Sequence, residues 1–380
     1  MLLSPEIRLG AVQPDRAVVL RLDDFLLGVV FLTWLAKLAM NKQLGLLRST
    51  SLNVPLGLFL VSCLVSTGWG VLTDSVKNPA ASFFYFLKYF EYFFLFFMVV
   101  NVVRERRQVK LFLKAMLATA VGVSLFGYWQ LLVHGTRMRM TAPFEGSHPE
   151  PNTLAGYLLL MLAICAGLLL SSPSGSRRLF LLGMIGLMLP PFVYTYSRSG
   201  YAAFLVMYIT LCMFSKRHKP LLFALLVLGG LAVQAILPQT VFERVAETFD
   251  PSSAVKIGGL GLSLSPAYRL MMWQVMFDRW MQHPMLGFGV NGIGFFVDGQ
   301  YLLVLGELGL TGLAIFLWIR WKLLRMSYAH YRTLEDPLAK GLSLGFLAAL
   351  VGLLLFSFGG NVFIIVRIME PFWFLAAMVM

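Results

Sequence analysis

The feature that most constrains this chain is a series of apolar runs, most of them long enough to cross a lipid bilayer as a helix. A transmembrane helix needs about 20 largely apolar residues, and such runs recur here with short polar breaks. Of the 380 residues, 58% are hydrophobic and only 13% are charged, whereas soluble domains carry about 25% charged residues. The sequence therefore predicts a polytopic membrane protein.

We predict an all-α fold with about eleven transmembrane helices. The predicted spans are Phe25–Met40, Leu52–Leu72, Ala80–Val103, Leu111–Val133, Thr153–Leu170, Leu179–Tyr196, Tyr201–Phe214, Pro220–Leu237, Tyr301–Trp321, Lys340–Phe358 and Asn361–Met380. The chain thus divides into an N-terminal segment 1–24, spans one to eight in 25–237, a long polar loop 238–300, and spans nine to eleven in 301–380.

The basic residues predict which side of the membrane each loop occupies, because Lys and Arg concentrate in short cytoplasmic loops. Eleven of them are spread over long stretches of chain on the side of the long loop. Sixteen fill five compact loops on the opposite side: Lys42, Arg48, Arg104, Arg106, Arg107, Lys110, Arg177, Arg178, Lys216, Arg217, Lys219, Arg320, Lys322, Arg325, Arg332 and Lys340. We therefore predict that loop 238–300 is extracytoplasmic. Eight spans precede it, so segment 1–24 should lie outside as well.

The composition also argues against several classes of function. The net charge of +13 does not indicate nucleic-acid binding, because the basic residues lie between apolar runs rather than in a solvated domain. Cys63, Cys165 and Cys212 lie singly in apolar runs, so neither a disulfide framework nor a zinc site is predicted. The only adjacent acidic pair, Asp23-Asp24, begins a predicted helix, where acidic residues stabilise the helix dipole.

The first candidate site is Tyr196-Ser-Arg-Ser-Gly200, which joins two predicted spans on the side of the long loop. Arg198 would project from the start of a helix, beside backbone N–H groups that have no partner in the helix. The helix dipole and the guanidinium both favour an anion there, and a phosphate suits them best. The flanking Ser197 and Ser199 are candidate substrate-binding residues. The alternative is an arginine that anchors a helix end at lipid head groups.

The second candidate lies in the long loop, where Tyr268–Gln282 has the pattern of an amphipathic helix. Such a helix lies along the membrane face or against the helical bundle. Arg269, near its start, is a candidate for a second anion clamp. His283 follows the helix and precedes a proline, so it either contributes to substrate binding or caps the helix.

The third candidate surrounds Asp298, which precedes the predicted span Tyr301–Trp321. Glu307 would lie two to three turns deeper than Asp298 in the same helix, and an ionisable group at that depth usually faces a cavity or a partner. Asp298 is a candidate catalytic residue, with the helix N-cap as the alternative. Tyr301 and Glu307 are candidate substrate-binding residues.

Two pairs of opposite charges also fall within predicted spans. Lys88 and Glu91 are three residues apart, as are Arg367 and Glu370, so each pair shares one helical face. The spacing predicts neutralised structural pairs, with a polar cavity shared with Glu307 as the alternative.

These segments, with Ser147-His-Pro-Glu-Pro-Asn152 ahead of a span, resemble the O-antigen ligase and polymerase family of bacterial membrane glycosyltransferases. The resemblance runs from about Asn152 to Thr311, and the hydropathy is similar over most of the chain. By motif match, the arginine that the family requires after its sixth or seventh span falls on Arg198, and its loop arginine falls on Arg269.

Three further points of the resemblance concern single positions. His148 and Asn152 lie in the matching segment and are candidate substrate-binding residues. The family's ligases carry a histidine where this chain has Asp298, and an aspartate there is similar to the polymerase branch. The family usually has one more N-terminal span, which agrees with an N-terminal segment outside the membrane.

The resemblance implies a GT-C-like helical glycosyltransferase of the bacterial inner membrane, with its site facing the periplasm or cell exterior. It implies an oligosaccharide donor on undecaprenyl diphosphate and metal-independent inversion at the anomeric carbon, with no cofactor. Arg198 and Arg269 would stabilise the diphosphate leaving group, and Asp298 would accept the proton of the attacking hydroxyl. Membrane lipid, a flippase and a chain-length regulator are the partners that it implies.

We therefore predict a polymerase that joins lipid-linked repeat units in polysaccharide biosynthesis of the cell envelope. The alternative within the family is a ligase that transfers finished polysaccharide to lipid A core or another acceptor. The alternative from another class is a polysaccharide or lipid transporter. Transporters commonly show internal repeats and helices broken within the membrane, and the sequence gives no sign of either.

Overall fold

The computed structural model describes residues 6–13, 16–40, 48–136, 138–145, 149–215, 218–236, 239–246, 256–257, 260–261 and 264–380. Helices dominate these residues: α1 (Leu22–Met40), α2 (Asn53–Leu72), α3 (Pro79–Val102), α4 (Arg106–His134), α5 (Pro151–Ser171), α6 (Gly175–Val193), α7 (Arg198–Phe214), α8 (Lys219–Ile236), α9 (Gln239–Ala246), α10 (Leu264–Trp280), α11 (Gln300–Thr333), α12 (Pro337–Phe356) and α13 (Val366–Val379). The protein is therefore a helical membrane protein, as predicted.

Two small antiparallel hairpins are additions that the all-α prediction did not include. Strands β1 (Glu6–Gln13) and β2 (Arg16–Arg21) pair within the N-terminal segment. Strands β3 (Lys256–Ile257) and β4 (Leu260–Gly261) pair within the long loop. The valines of β2 favour a strand. The run is short and leads directly into the apolar helix α1, so hydropathy alone does not distinguish the strand from the helix.

Each of the eleven predicted spans overlaps a helix, but not every helix has the length of a span. Among the described residues, seven helices are long and apolar enough to cross a membrane: α2, α3, α4, α5, α6, α11 and α12. Shorter apolar helices are Phe25–Lys37 within α1, Arg198–Phe214, and Lys219–Leu231 within α8. The last helix, α13, has 14 residues and contains Pro371. The helical, multi-pass architecture is confirmed, whereas the number of crossings stays a prediction.

The centre of the bundle is the packing of α5 against α12. A Cβ added to Gly167 of α5 would lie 2.4 Å from both the Gly341 carbonyl oxygen and the Gly345 nitrogen of α12. Glycines at these positions let the two backbones approach closely, which is a common way of packing helices in lipid. α7 also packs along α12, so α12 supports the helix that begins at Arg198.

α11 is sharply bent and does not form the single predicted span Tyr301–Trp321. Gly309 has φ 66° and ψ −166°, which is not helical. The rings of Tyr301 and Phe316 lie 6.2 Å apart, whereas fifteen residues of straight helix would separate their Cα atoms by roughly 22 Å. Residues 300–308 therefore fold back along residues 310–333. We call these the first and second parts of α11.

Glu307 lies close to the bend, two positions before Gly309. It is therefore about two turns into the helix that starts after Asp298, and the chain reverses just beyond it, which brings Tyr301 to the side of Phe316. Glu307 Oε1 accepts a hydrogen bond from the backbone N–H of Asn291 at 2.8 Å.

Arg320 differs from its predicted surroundings, and Arg367 has contacts besides the predicted pairing with Glu370. Arg320 was assigned to a compact loop but lies buried in α11, with its guanidinium 4.0 Å from the ring centre of Phe316 and 4.3 Å from that of Phe363. Lys322, Arg325 and Arg332 of the same set also lie on α11 rather than in a loop. Without the buried Arg320, fifteen basic residues remain assigned to this side, against eleven on the other. Arg367 donates hydrogen bonds to the carbonyls of Pro143 and Phe144.

The predicted pairing of Lys88 and Glu91 is present. The Nζ of Lys88 and the Oε2 of Glu91 are 2.9 Å apart within α3. The pair is an i, i+3 contact on one helical face, as the spacing indicated.

Candidate functional site

The start of α7 forms the first part of the site. Ser197 is the N-cap, and its Oγ accepts a hydrogen bond from the Gly200 N–H at 3.1 Å. The same hydroxyl donates to Asn152 Oδ1 at 2.8 Å, which attaches the first turn of α5 to the start of α7. Arg198 is the first residue of α7 and is half-buried. A cation and a helix N-terminus therefore coincide, as predicted from the sequence.

The second part of the site is an ion pair between α10 and the segment that leads into α11. Arg269 Nε donates to Asp298 Oδ2 at 2.6 Å, with the two side chains 27% and 22% exposed. One turn further along α10, Trp273 Nε1 donates to the Asp298 carbonyl oxygen at 2.9 Å. α10 begins four residues before the predicted amphipathic helix Tyr268–Gln282. It brings Arg269 to Asp298.

Asp298 is not a helix cap, which was the alternative for this residue. The N-cap of α11 is Gly299, and no side chain caps this helix end. Gly299 has φ 133°, a conformation that L side chains rarely adopt. The chain turns at Gly299, and the Asp298 carboxylate pairs with Arg269 instead of capping the helix.

The two parts meet at the connection between α12 and α13, residues 357–365. A Cβ built on Gly359 would lie 2.8 Å from Ser199 Oγ and 3.9 Å from Arg269 Nη1. The side chains of Ser199 and Arg269 therefore face the same stretch of backbone, and glycine leaves them room. We call the cluster of Asn152, Ser197, Arg198, Ser199, Arg269 and Asp298 the α7–α10 site.

The α12–α13 connection also fixes the backbone around Asp298. Asn361 Oδ1 accepts from the Gly299 N–H at 3.1 Å, and its Nδ2 donates to the Val297 carbonyl at 2.7 Å. The buried Gln300 accepts the Phe363 N–H at 3.0 Å through its side-chain oxygen. Sequence reasoning missed these supports, although the Gly359-Gly360-Asn361 sequence is a turn signal at the start of the last predicted span.

Two acidic residues in the loop before α5 were also missed. Asn152 Nδ2 donates to Glu150 Oε1 at 3.2 Å, and the Glu150 N–H donates to Glu145 Oε2 at 2.9 Å. Glu150 also lies close enough to Asp298 and Arg269 to interact electrostatically with both. The signal was present in Ser147-His-Pro-Glu-Pro-Asn152, where the glutamate stands between the two candidate residues, the histidine and the asparagine.

Burial and charge act in opposite directions on the carboxyl groups here. Desolvation raises the pKa of Asp298, and the charge and hydrogen bond of Arg269 lower it, with a net rise. Desolvation raises the pKa of Glu145 to about 7, against the lowering effects of the Arg367 charge and a hydrogen bond with Thr153. The site therefore contains acidic groups that differ in how readily they take up a proton.

Three predicted residues lie away from this cluster. His283 packs its ring against Phe288, with ring centres 4.9 Å apart, and against Trp69 at 6.3 Å. The Tyr301 hydroxyl donates to the Leu354 carbonyl at 2.7 Å, which ties the first part of α11 to α12. The third is Glu307, at the bend of α11. All three have structural contacts, and His148 lies outside the described residues.

The described part of the chain contains no group of three or more His, Cys, Asp or Glu side chains placed to hold a metal ion. The α7–α10 site instead combines two arginines, a helix N-terminus and nearby carboxylates. Such an arrangement can bind an anionic group and can accept a proton beside it.

A family model described as O-antigen ligase matches residues 183–317. The matched segment includes Arg198, Arg269 and Asp298, and it supports the assignment of this chain to the O-antigen ligase and polymerase family. Members of this family are glycosyltransferase-like enzymes, and the family implies lipid-linked polysaccharide substrates. A comparison with curated proteins found no match to the chain.

Proposed function

We propose that this protein is a polysaccharide polymerase that joins oligosaccharide repeat units carried on undecaprenyl diphosphate, on the outer face of the bacterial cytoplasmic membrane. The observation that supports the proposal most is the approach of Ser199 and Arg269 to one point, Gly359. Ser199 belongs to the first turn of α7 and Arg269 to α10, so this approach places a helix N-terminus near Arg269. Both residues lie within the segment that the family model matches.

The arginines would bind the diphosphate of the donor. The acceptor hydroxyl oxygen attacks the anomeric carbon, the bond from that carbon to the diphosphate breaks, and the electron pair leaves with the diphosphate. Arg198, Arg269 and the N–H groups of α7 would stabilise the charge that develops there. Because guanidinium groups supply this stabilisation, the mechanism needs no metal ion, and attack from the opposite face inverts the anomeric carbon.

Asp298 has a different role in this mechanism from the one that the resemblance implied. Its Oδ2 accepts the Nε–H of Arg269, so both Nη groups of Arg269 remain to reach a phosphate, and Nη1 lies toward Ser199. The Asp298 carboxylate is thus already engaged in an ion pair that holds the Arg269 guanidinium in place. We therefore assign to Asp298 the orientation of Arg269 rather than the acceptance of a proton.

The orientation in the membrane rests on the basic residues. Fifteen of the sixteen basic residues assigned to the side opposite the long loop remain after the buried Arg320 is removed from that set, which favours a cytoplasmic location for that side. Glu243, exposed on α9, and Glu105, exposed before α4, would then face opposite sides. The native cysteines are all buried. An impermeant maleimide should therefore label Glu243→Cys in intact spheroplasts and leave Glu105→Cys unlabelled, and the reverse pattern would invert the topology.

The second candidate is a ligase, which the description of the matched family favours. The two functions leave different products when the gene is deleted. Loss of a polymerase should collapse the surface-polysaccharide ladder to single repeat units on a gel. Loss of a ligase should remove surface-attached polymer while lipid-linked chains of full length remain, and that result would replace the polymerase proposal.

The transporter alternative loses one of the two arguments against it. Broken helices are common in transporters, and α11 is broken at Gly309. The family match favours the enzyme nonetheless, because it covers the bend itself and the residues of the α7–α10 site.

A further inference from the structure

Glu150 lies at the edge of the α7–α10 site and is connected to it by a chain of hydrogen bonds. Its Oε1 accepts from Asn152 Nδ2, and Asn152 Oδ1 accepts from Ser197 Oγ, the N-cap of α7. Two side-chain hydrogen bonds therefore connect Glu150 to the helix start at which the donor diphosphate would bind. The residue is exposed, so a substrate can approach it.

The two carboxylates of the site differ in their partners. Asp298 is held by the guanidinium of Arg269 at 2.6 Å. The Glu150 carboxylate has an amide as its hydrogen-bond partner, and within the described residues its Oε2 accepts no hydrogen bond. Within the described residues the Glu150 carboxylate is therefore hydrogen-bonded to a neutral amide alone, whereas the Asp298 carboxylate is held by a guanidinium.

We propose that Glu150 is the catalytic base, which accepts the proton of the attacking sugar hydroxyl. As the acceptor oxygen bonds to the anomeric carbon, its proton passes to the Glu150 carboxylate, and the electron pair of the broken bond leaves on the diphosphate at Arg269. Glu150 then releases the proton to solvent. This role rests on the proposed glycosyl transfer and adds the group that receives the proton.

The neighbouring backbone holds Glu150 in this position. Glu145 Oε2 accepts the Glu150 N–H at 2.9 Å, and Arg367 attaches the preceding residues by donating to the carbonyls of Pro143 and Phe144. Glu145 is thus a positioning residue for the base. A general base has to lie within hydrogen-bond reach of the proton that it removes, and the hydrogen bonds with Glu145 and Asn152 restrict the position of Glu150.

The charged groups around Glu150 suit the role of a base. Glu150 is exposed, but nearby protein displaces part of the water around its carboxyl; this desolvation raises its pKa, while the Asn152 hydrogen bond lowers it. The Asp298 carboxylate raises the pKa, and the charges of Arg139 and Arg269 lower it. The net pKa is above that of an ordinary glutamate, so turnover should fall as the pH drops through the pKa of Glu150 and the base becomes protonated.

The test is the kinetics of Glu150→Gln and Glu150→Ala with lipid-linked repeat units extracted from the deletion strain. Glu150→Gln should slow turnover by a factor of about 10²–10⁴ with KM little changed. Formate should restore part of the activity of Glu150→Ala, because a small carboxylate can occupy the space and accept the proton. Glu243→Gln is the matched control, an exposed acid on α9 outside the site, and it should behave as wild type.

Two results would overturn the assignment of Glu150 as the catalytic base. One is turnover by Glu150→Gln within tenfold of wild type, and the other is a loss of activity in Glu150→Ala that formate does not restore. If Glu150→Gln does not accumulate in membranes, Glu150→Asp decides instead, since it keeps the carboxylate and should retain more activity than Glu150→Ala. Arg269→Lys in the same assay separates the two proposals. If Glu150→Gln is active and Arg269→Lys is not, only the assignment of Glu150 as the base is rejected. If Glu150→Gln and Arg269→Lys are both fully active, the proposed function is rejected.

Discussion

The α5–α12 interface and the α7–α10 site are built by opposite means. The interface relies on glycines that bring two apolar backbones together, as at Gly167 and Gly345. The site relies on side-chain hydrogen bonds between segments far apart in the chain, as between Arg269 and Asp298. Close backbone packing therefore sets the arrangement of the helices, and side-chain hydrogen bonds set the positions of the polar groups in the site. Substitutions in the interface should change folding, and substitutions in the site should change activity.

The largest effect is expected from Gly167→Val in the interface. The added Cβ would meet the backbone of α12 at 2.4 Å, and backbone atoms cannot move aside. We expect a loss above the roughly 3 kcal/mol that marks severe overpacking, and therefore little folded protein. Gly183→Val is the matched control, because a Cβ there meets nothing within 4 Å. Size-exclusion chromatography in detergent measures both, and equal yields would contradict the close packing of α5 on α12.

The second effect concerns the arginines of the site. Lysine keeps the charge but not the planar fork of donors, so Arg198→Lys and Arg269→Lys should each lower turnover about a hundredfold, or roughly 3 kcal/mol. Both variants should be folded. Arg279→Lys is the control on α10, since Arg279 lies over the Phe288 ring rather than in the site. Comparable turnover in Arg269→Lys and Arg279→Lys would contradict the role of Arg269 in binding the diphosphate.

Asp298→Asn should have a smaller effect and a different kinetic signature. Asparagine keeps the shape and can still accept a hydrogen bond from Arg269, so we expect a loss of about tenfold, or roughly 1.4 kcal/mol, mainly in KM for the donor. Turnover of this variant should still fall at low pH, because that fall comes from protonation of Glu150. If Asp298→Asn instead slowed turnover by a factor of about 10²–10⁴ and also abolished that fall, the role of base would return to Asp298.

The smallest effect is expected from removal of divalent cations. The charge of the leaving diphosphate is stabilised by Arg198, Arg269 and the start of α7, so turnover in excess EDTA should equal that without it. Kinetics with and without added magnesium or manganese measure this. Activity that disappears in EDTA and returns with either ion would show that the arginines do not suffice.

The same contrast explains which features could be predicted from the sequence. Hydropathy located the helices, because each apolar run has to be buried in lipid or protein. It could not predict the bend at Gly309, since the residues on both sides of that glycine are equally apolar. Arg198 was predictable because it starts a helix. The contact of Arg269 with Asp298 was not, because a pairing across 29 residues depends on how α10 docks.

The acidic residues show a second limit of sequence reasoning. Asp298 was singled out by motif and assigned the proton, but the ion pair with Arg269 is visible only in three dimensions. Glu150 lies in the segment that was singled out by motif, but its hydrogen bond with Asn152 is visible only in three dimensions. Arg320 was counted as a loop residue because its neighbours are basic, although it lies buried beside Phe316 and Phe363. Which partner a charged side chain has in the folded protein is therefore the property that the sequence describes least well.

The most direct test of the central claim uses the purified protein and the lipid-linked repeat unit alone. If the α7–α10 site joins these units, the repeat unit should be converted in EDTA to a ladder of longer lipid-linked chains on a gel, with free undecaprenyl diphosphate released for each bond formed. Arg269→Lys should form the same ladder about a hundredfold more slowly. A repeat unit that stays unchanged until lipid A core or another acceptor is added would contradict the polymerase and identify a ligase.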